Sequence, residues 1–120
     1  MSVDSIRAKA EFILKMLANI QTIIVRHNGI VAALSDEIEA RPAMLMAWLQ
    51  IGETLNKIDT DVLAQFGLET DAKGSYDVRN FIAHDYMGVD LGLVEMITRN
   101  HLPVLHEKIN RMLDECNTGV

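Results

Sequence analysis

A chain of 120 residues with 49% hydrophobic and 23% charged side chains, seven glycines and two prolines is long enough to bury one core, and it excludes collagen-like, low-complexity and broadly disordered classes. Its formal charge of −6, from 17 acidic and 11 basic residues, repels a polyanion on average, which excludes general coating of nucleic acid. The lone Cys116 excludes an intramolecular disulfide, Met1 to Lys9 lack the pattern of a secretory signal, and Arg26, His27, Glu53 and Lys57 interrupt the longest apolar stretches, so residues 1–120 read as one cytoplasmic domain with no membrane association.

From residue 6, Ile6, Ala10, Ile13, Leu17, Ile20 and Ile24 recur at steps of four and three, the period of one helical face. Ser2 or Asp4 can cap this first helix, and Asn28-Gly29 can end it. A second helix starts near Ser35 to Glu39. Because Pro42 fits only a first turn, that start lies either close to Arg41 or earlier with a kink at Pro42. Met44, Trp48, Ile51, Leu55, Ile58 and Val62 then carry the stripe to about Leu63, with Gly67 as the end. Gly67 to Ser75 has loop composition. Tyr76 to Tyr86 fits a third helix terminated by Gly88, and Asp90 can cap a fourth from Leu91 to about Arg99. Pro103 breaks or bends the chain, and a fifth helix places Leu102, Leu105, Ile109 and Met112 on one face. With no convincing strand pattern and no repeat, the expected fold is all-α, an up-and-down bundle of four or five helices.

Acidic residues crowd positions 36 to 71, where Asp36, Glu37, Glu39, Glu53, Asp59, Asp61, Glu69 and Asp71 face only Arg41 and Lys57; a phosphate site has to be local and lie elsewhere. No histidine shares a metal-ligand spacing with another His or with Cys. His101 and His106, five apart, point about 140° from each other on a helix, so no metal and no other cofactor is expected. The run Arg79-Asn80-Phe81-Ile82-Ala83-His84-Asp85-Tyr86 is different. It gathers a permanent cation whose planar fork matches phosphate oxygens, an amide, an imidazole that exchanges protons near neutral pH, a carboxylate and a phenol. Spacing alone leaves a bland alternative: Arg79 paired with Asp77 or Asp85, His84 as a helix cap, and Tyr86 half in the core. Upstream, Gly52 suits a close helix contact, and Glu53 has two candidate partners, Lys57 four residues on or Arg79.

Arg79 to Tyr86 resembles the Arg-x4-His-x-Tyr motif of the HEPN superfamily, in the form found in HepT-like toxins of prokaryotic toxin–antitoxin pairs. Leu49-Gln50-Ile51-Gly52-Glu53 is similar to the family's preceding long helix, and Asp90 through Pro103 to Leu105 to its C-terminal part, so the likeness spans roughly residues 42 to 113. One departure is Tyr76, where many relatives carry tryptophan. The resemblance implies a HEPN-like helical bundle that forms a homodimer, or a higher assembly, with two copies of the motif lining one cleft. It also implies metal-independent cleavage of RNA. Arg79, His84 and Asn80 are then the catalytic candidates, with Glu53 and Asp85 supporting, and Tyr86 is the position to which a partner nucleotidyltransferase antitoxin adds AMP. The competing reading is a non-catalytic HEPN adaptor that binds a minimal nucleotidyltransferase and presents nucleotide or substrate to it.

Overall fold

Residues 1–118 are described by the structure, a computed structural model, and among them the chain is helical with no strand. α1 (Val3–Arg26) opens on Ser2, whose hydroxyl accepts from the Ser5 N–H at 3.1 Å, and its predicted stripe is buried at Ala10, Ile13, Leu17 and Ile20. The helix ends as Asn28 and Gly29 adopt φ values of 62° and 146°, of which the second is strained for any residue with a side chain. A short α2 (Ile30–Ser35) follows, unanticipated because six residues are too few to show periodicity, and it buries Ala33 and Leu34.

Asp36, rather than Ser35, organises the next start. Its carboxylate accepts from the backbone N–H groups of Ile38, Glu39 and Ala40 and contacts His27 Nε2 at 3.3 Å. α3 (Ala40–Leu55) therefore begins just before Arg41, and Pro42 occupies its first turn, where a missing N–H has no consequence. These donors, Ala40 foremost, hold the Asp36 carboxyl below its ordinary range. A lowered carboxyl stabilises the fold above its unfolded pKa, and that contribution is lost as pH falls through the folded value. The stability difference between wild type and Asp36→Asn should thus stay constant near neutral pH and shrink below about pH 4, as read from urea midpoints against pH; a gap that widens on acidification contradicts this cap.

The second predicted stripe is interrupted. After Leu55 the chain turns through Asn56 and Lys57, and α4 (Thr60–Gln65) restarts beyond an extended Asp59. Ile58 and Leu63 remain buried, so the apolar spacing survives a break that Asp59-Thr60-Asp61, a composition suited to a helix start, imposes. Gly67 ends α4 with φ 64°. The expected loop from Gly67 to Ser75 is instead mostly helix: α5 (Glu69–His84) starts on Glu69 and Asp71, charges that suit a helix N-terminus. Lys108 pins this start by donating to the Gly67 carbonyl at 2.8 Å and to Asp71 at 2.7 Å. α5 stops two residues short of Tyr86. Asp90 caps α6 (Leu91–Thr118) through the Leu93 N–H at 3.2 Å. The fourth and fifth predicted helices are one element with Pro103 inside, because Pro103 and Arg99, whose carbonyl loses its donor, are both exposed and water can take that carbonyl.

α1, α3 and α6 enclose the core, with α2 at one end and α5 laid along α3. Arg7 reaches the Cys116 carbonyl and Asn117, so α1 and α6 run antiparallel. Trp48 lies at the centre, its indole N–H donating 3.0 Å to the buried Thr98 hydroxyl, which in turn donates to the Val94 carbonyl. The all-α bundle expected from the stripes is the one that forms, with six helices among the described residues, four long and two short, rather than four or five. Among the described residues no helix is long and apolar enough to cross a membrane.

Candidate functional site

The chemistry-bearing run is the C-terminal half of α5 and the turn after it. α5 approaches α3 most closely at Gly52, where an added Cβ would stand 2.8 Å from the Arg79 Cβ and closer still to the Ser75 carbonyl oxygen. This absent side chain sets the site's position, because it lets Arg79 come down beside Glu53, the next residue of α3. Of the two partners open to Glu53, the structure selects Arg79: the carboxylate meets Arg79 Nε as a charge pair rather than an aligned hydrogen bond. Neither Asp77 nor Asp85 pairs with Arg79. Asn80 Oδ1 accepts from Arg79 Nη1 at 3.1 Å, and the guanidinium carbon lies 5.7 Å from the Tyr76 ring centroid, within cation–π range.

Arg79 is therefore held by a carboxylate, an amide and an aromatic ring. Of the five N–H donors of an arginine, one faces Glu53 and one Asn80; the other three have no hydrogen-bond partner among the described residues. Because its oxygen is turned to Arg79, the Asn80 amide keeps its NH2 group to donate elsewhere. His84 is the last residue of α5 and is exposed. It stands four residues after Asn80, hence on the same helical face one turn on, and its side chain makes no hydrogen bond among the described residues. A partly buried cation with uncommitted donors can bind an oxyanion and an exposed imidazole can move a proton, but five residues apart on α5 the two point about 140° from each other, so one chain alone does not bring them to the same side.

Asp85 and Tyr86 take other places. The Asp85 carboxylate accepts from the Gly88 N–H at 3.0 Å and the backbone closes the same turn, so Asp85 shapes the exit from α5 and does not reach Arg79. Tyr86 lies outside the helix in this turn, 43% exposed, next to a Met87 that is 92% exposed. Arg79 and Tyr86, seven apart, would be nearly eclipsed on a continuous helix, but the end of α5 at His84 removes that alignment. Tyr76 was not anticipated as part of the site; its signal is an aromatic three residues before the arginine, the i, i+3 spacing that brings helical side chains together. A family model described as "Ribonuclease HepT-like" matches residues 13–112. The chain belongs to the HepT-like ribonuclease family. Its members' name marks a nuclease acting on RNA, and the matched span takes in Glu53, Tyr76, Arg79, Asn80, His84 and Tyr86. Neither a curated protein nor a solved structure gives a significant match. Among the described residues no group of three or more His, Cys, Asp or Glu side chains is placed to hold a metal ion.

Between α5 and the first half of α6 runs an apolar groove. The two helix backbones keep apart here, and two adjoining cavities of about 230 and 310 Å3 share Val78, Phe81, Leu93 and Ile97 as walls. The second reaches Asp85 and Gly88, directly beside His84. Phe81 stands 59% exposed at its edge.

Proposed function

We propose that the chain is a metal-independent endoribonuclease working as a two-fold homodimer, regulated by a nucleotidyltransferase antitoxin that adds AMP to Tyr86. The observation that carries this reading is the anchored Arg79, with three uncommitted donors, on the same half-helix as the exposed His84 in a chain of the HepT-like family. RNA brings its own nucleophile. The 2′-hydroxyl attacks the adjacent phosphorus while a base takes its proton, the bond to the 5′-oxygen breaks, and an acid protonates that oxygen, leaving a 2′,3′-cyclic phosphate and a 5′-hydroxyl. Arg79 stabilises the added negative charge of the phosphorane, and the Asn80 amide donates to a phosphate oxygen or orients the imidazole.

Base and acid are two groups at one phosphate, and two imidazoles are the simple way to supply them, whereas one chain places one imidazole among the described residues of this region. A second copy seated on the α5–α6 groove supplies the other, because an isologous contact centred near Phe81 brings both His84 side chains to the same cleft. The apolar groove and exposed Phe81 support that placement. Tyr86 is suited to modification, its phenol oxygen attacking the α-phosphorus of a nucleoside triphosphate and releasing pyrophosphate. The attached nucleotide then puts bulk and charge in the turn two residues after His84. The test joins assembly to activity: by light scattering the wild type should be a dimer at micromolar concentration, and Phe81→Asp should be a monomer of unchanged helicity that no longer cleaves. A monomeric wild type that cleaves overturns the composite site.

A further inference from the structure

A separate cavity of about 240 Å3 opens between the end of α3, α4 and the first half of α5. Its floor is apolar, made by the buried Leu55, Ile58 and Leu63. Its rim is polar: Asn56 from the turn after α3, and Glu69, Lys73 and Asp77 from α5, all exposed. None of these four side chains makes a hydrogen bond or ion pair among the described residues, although Glu69 and Asp77 stand four residues either side of Lys73. Tyr76 joins the cavity to the site, since the ring that carries the Arg79 guanidinium 5.7 Å from its centroid also borders the cavity.

Resting on the ribonuclease reading above, we infer that this cavity is a base-binding subsite that makes the substrate single-stranded RNA. When the scissile phosphate lies on Arg79, the base of a flanking nucleotide enters the cavity against Tyr76, its edge meets Asn56, and the next phosphate meets Lys73. An apolar floor with an aromatic wall and an amide at the rim is the chemistry that receives an unstacked base. The Asn56 amide both donates and accepts. The Glu69 and Asp77 carboxylates repel a phosphate but accept from exocyclic amines, which assigns the cavity to the base and leaves Lys73 as the one cation on its rim among the described residues. A base inside a duplex is stacked and paired and cannot enter.

The experiment uses the full chain carrying His84→Ala, which keeps RNA intact, and follows a fluorescent single-stranded oligoribonucleotide and its duplex by anisotropy. The single strand should bind more tightly than the duplex. Tyr76→Ala should weaken single-strand binding by about 5- to 150-fold, and Tyr76→Phe should restore it. Asn56→Ala and Lys73→Ala, neither of which touches Arg79, should each weaken it several-fold, with Lys73→Ala also flattening the salt dependence. If Asn56→Ala and Lys73→Ala bind like the parent, Tyr76 acts only through Arg79 and the subsite is overturned, as it is by equal binding of the duplex. An accompanying Arg79→Ala separates the readings: weakening there alone leaves the phosphate site standing without the subsite, whereas a parent that binds no RNA removes both.

Discussion

His84→Ala should lower RNA cleavage by about 10²–10⁴-fold, the usual contribution of a general acid–base group, while helicity and melting temperature stay at their wild-type values. The second half of that expectation follows from position: His84 is the exposed last residue of α5 and its side chain makes no hydrogen bond or ion pair among the described residues, so its removal breaks no such contact. Arg79→Ala should reduce cleavage by about 10²–10³-fold, the loss seen when one donor to a developing oxyanion is removed. It differs from His84→Ala in one respect, because the Arg79 side chain also neutralises Glu53 and packs on Tyr76. Its melting temperature should fall slightly with the fold kept. Chelators should leave wild-type cleavage unchanged, since the proposed reaction uses only proton transfer and a guanidinium. Tyr86→Phe should keep cleavage but escape AMP addition, because the proposed acceptor is the phenol oxygen and Tyr86 lies in the turn beyond α5. Persistent cleavage by purified His84→Ala protein, or loss of wild-type activity in EDTA, would falsify this mechanism.

What the sequence discloses and what it hides divide along the range of the interactions involved. Ala10, Ile13, Leu17 and Ile20 announce α1, and Leu102, Leu105, Ile109 and Met112 announce α6, because a buried face repeats every turn and leaves its period in the chain. The breaks are harder to see. Ile58 and Leu63 stay buried on either side of an extended Asp59, so apolar spacing alone runs straight through the gap between α3 and α4. The polar, glycine-bearing start of α5 reads as loop, and it is helix because it lies on α3 and is tied down by Lys108, a residue 37 positions away from Asp71. The site behaves in the same way. Arg79, Asn80 and His84 are legible as a group since they lie within six residues. Glu53 has Lys57, the nearer in sequence, as well as Arg79 for a partner until α3 and α5 are placed side by side, and the cavity beside Tyr76 is built from three elements that no local pattern connects.

Gly52 is where fold and site meet, and two glycine substitutions of the same kind should have opposite signs. Alanine is favoured over glycine inside a helix by about 1 kcal/mol, and Gly52 and Gly74 are both helical. At Gly74 nothing lies within 4 Å of an added Cβ, so Gly74→Ala should stabilise the protein by up to about 1 kcal/mol with cleavage unchanged. At Gly52 the same Cβ meets the Ser75 carbonyl and the Arg79 Cβ at 2.8 Å. Both belong to the rigid frame of α5, so neither can swing aside as a flexible side-chain tip does. α3 and α5 must separate, and overpacking of about 1–3 kcal/mol outweighs the propensity gain. The displaced atom is the root of Arg79 itself. A shift approaching 1 Å at a positioning group costs on the order of 10²-fold in rate, so Gly52→Ala should lose cleavage as well as stability, whereas a merely loosened helix pair loses stability alone. Urea midpoints for the two variants, read beside their cleavage rates, decide the matter: a Gly52→Ala protein that matches Gly74→Ala in both would mean that the contact between α3 and α5 does not set the position of Arg79.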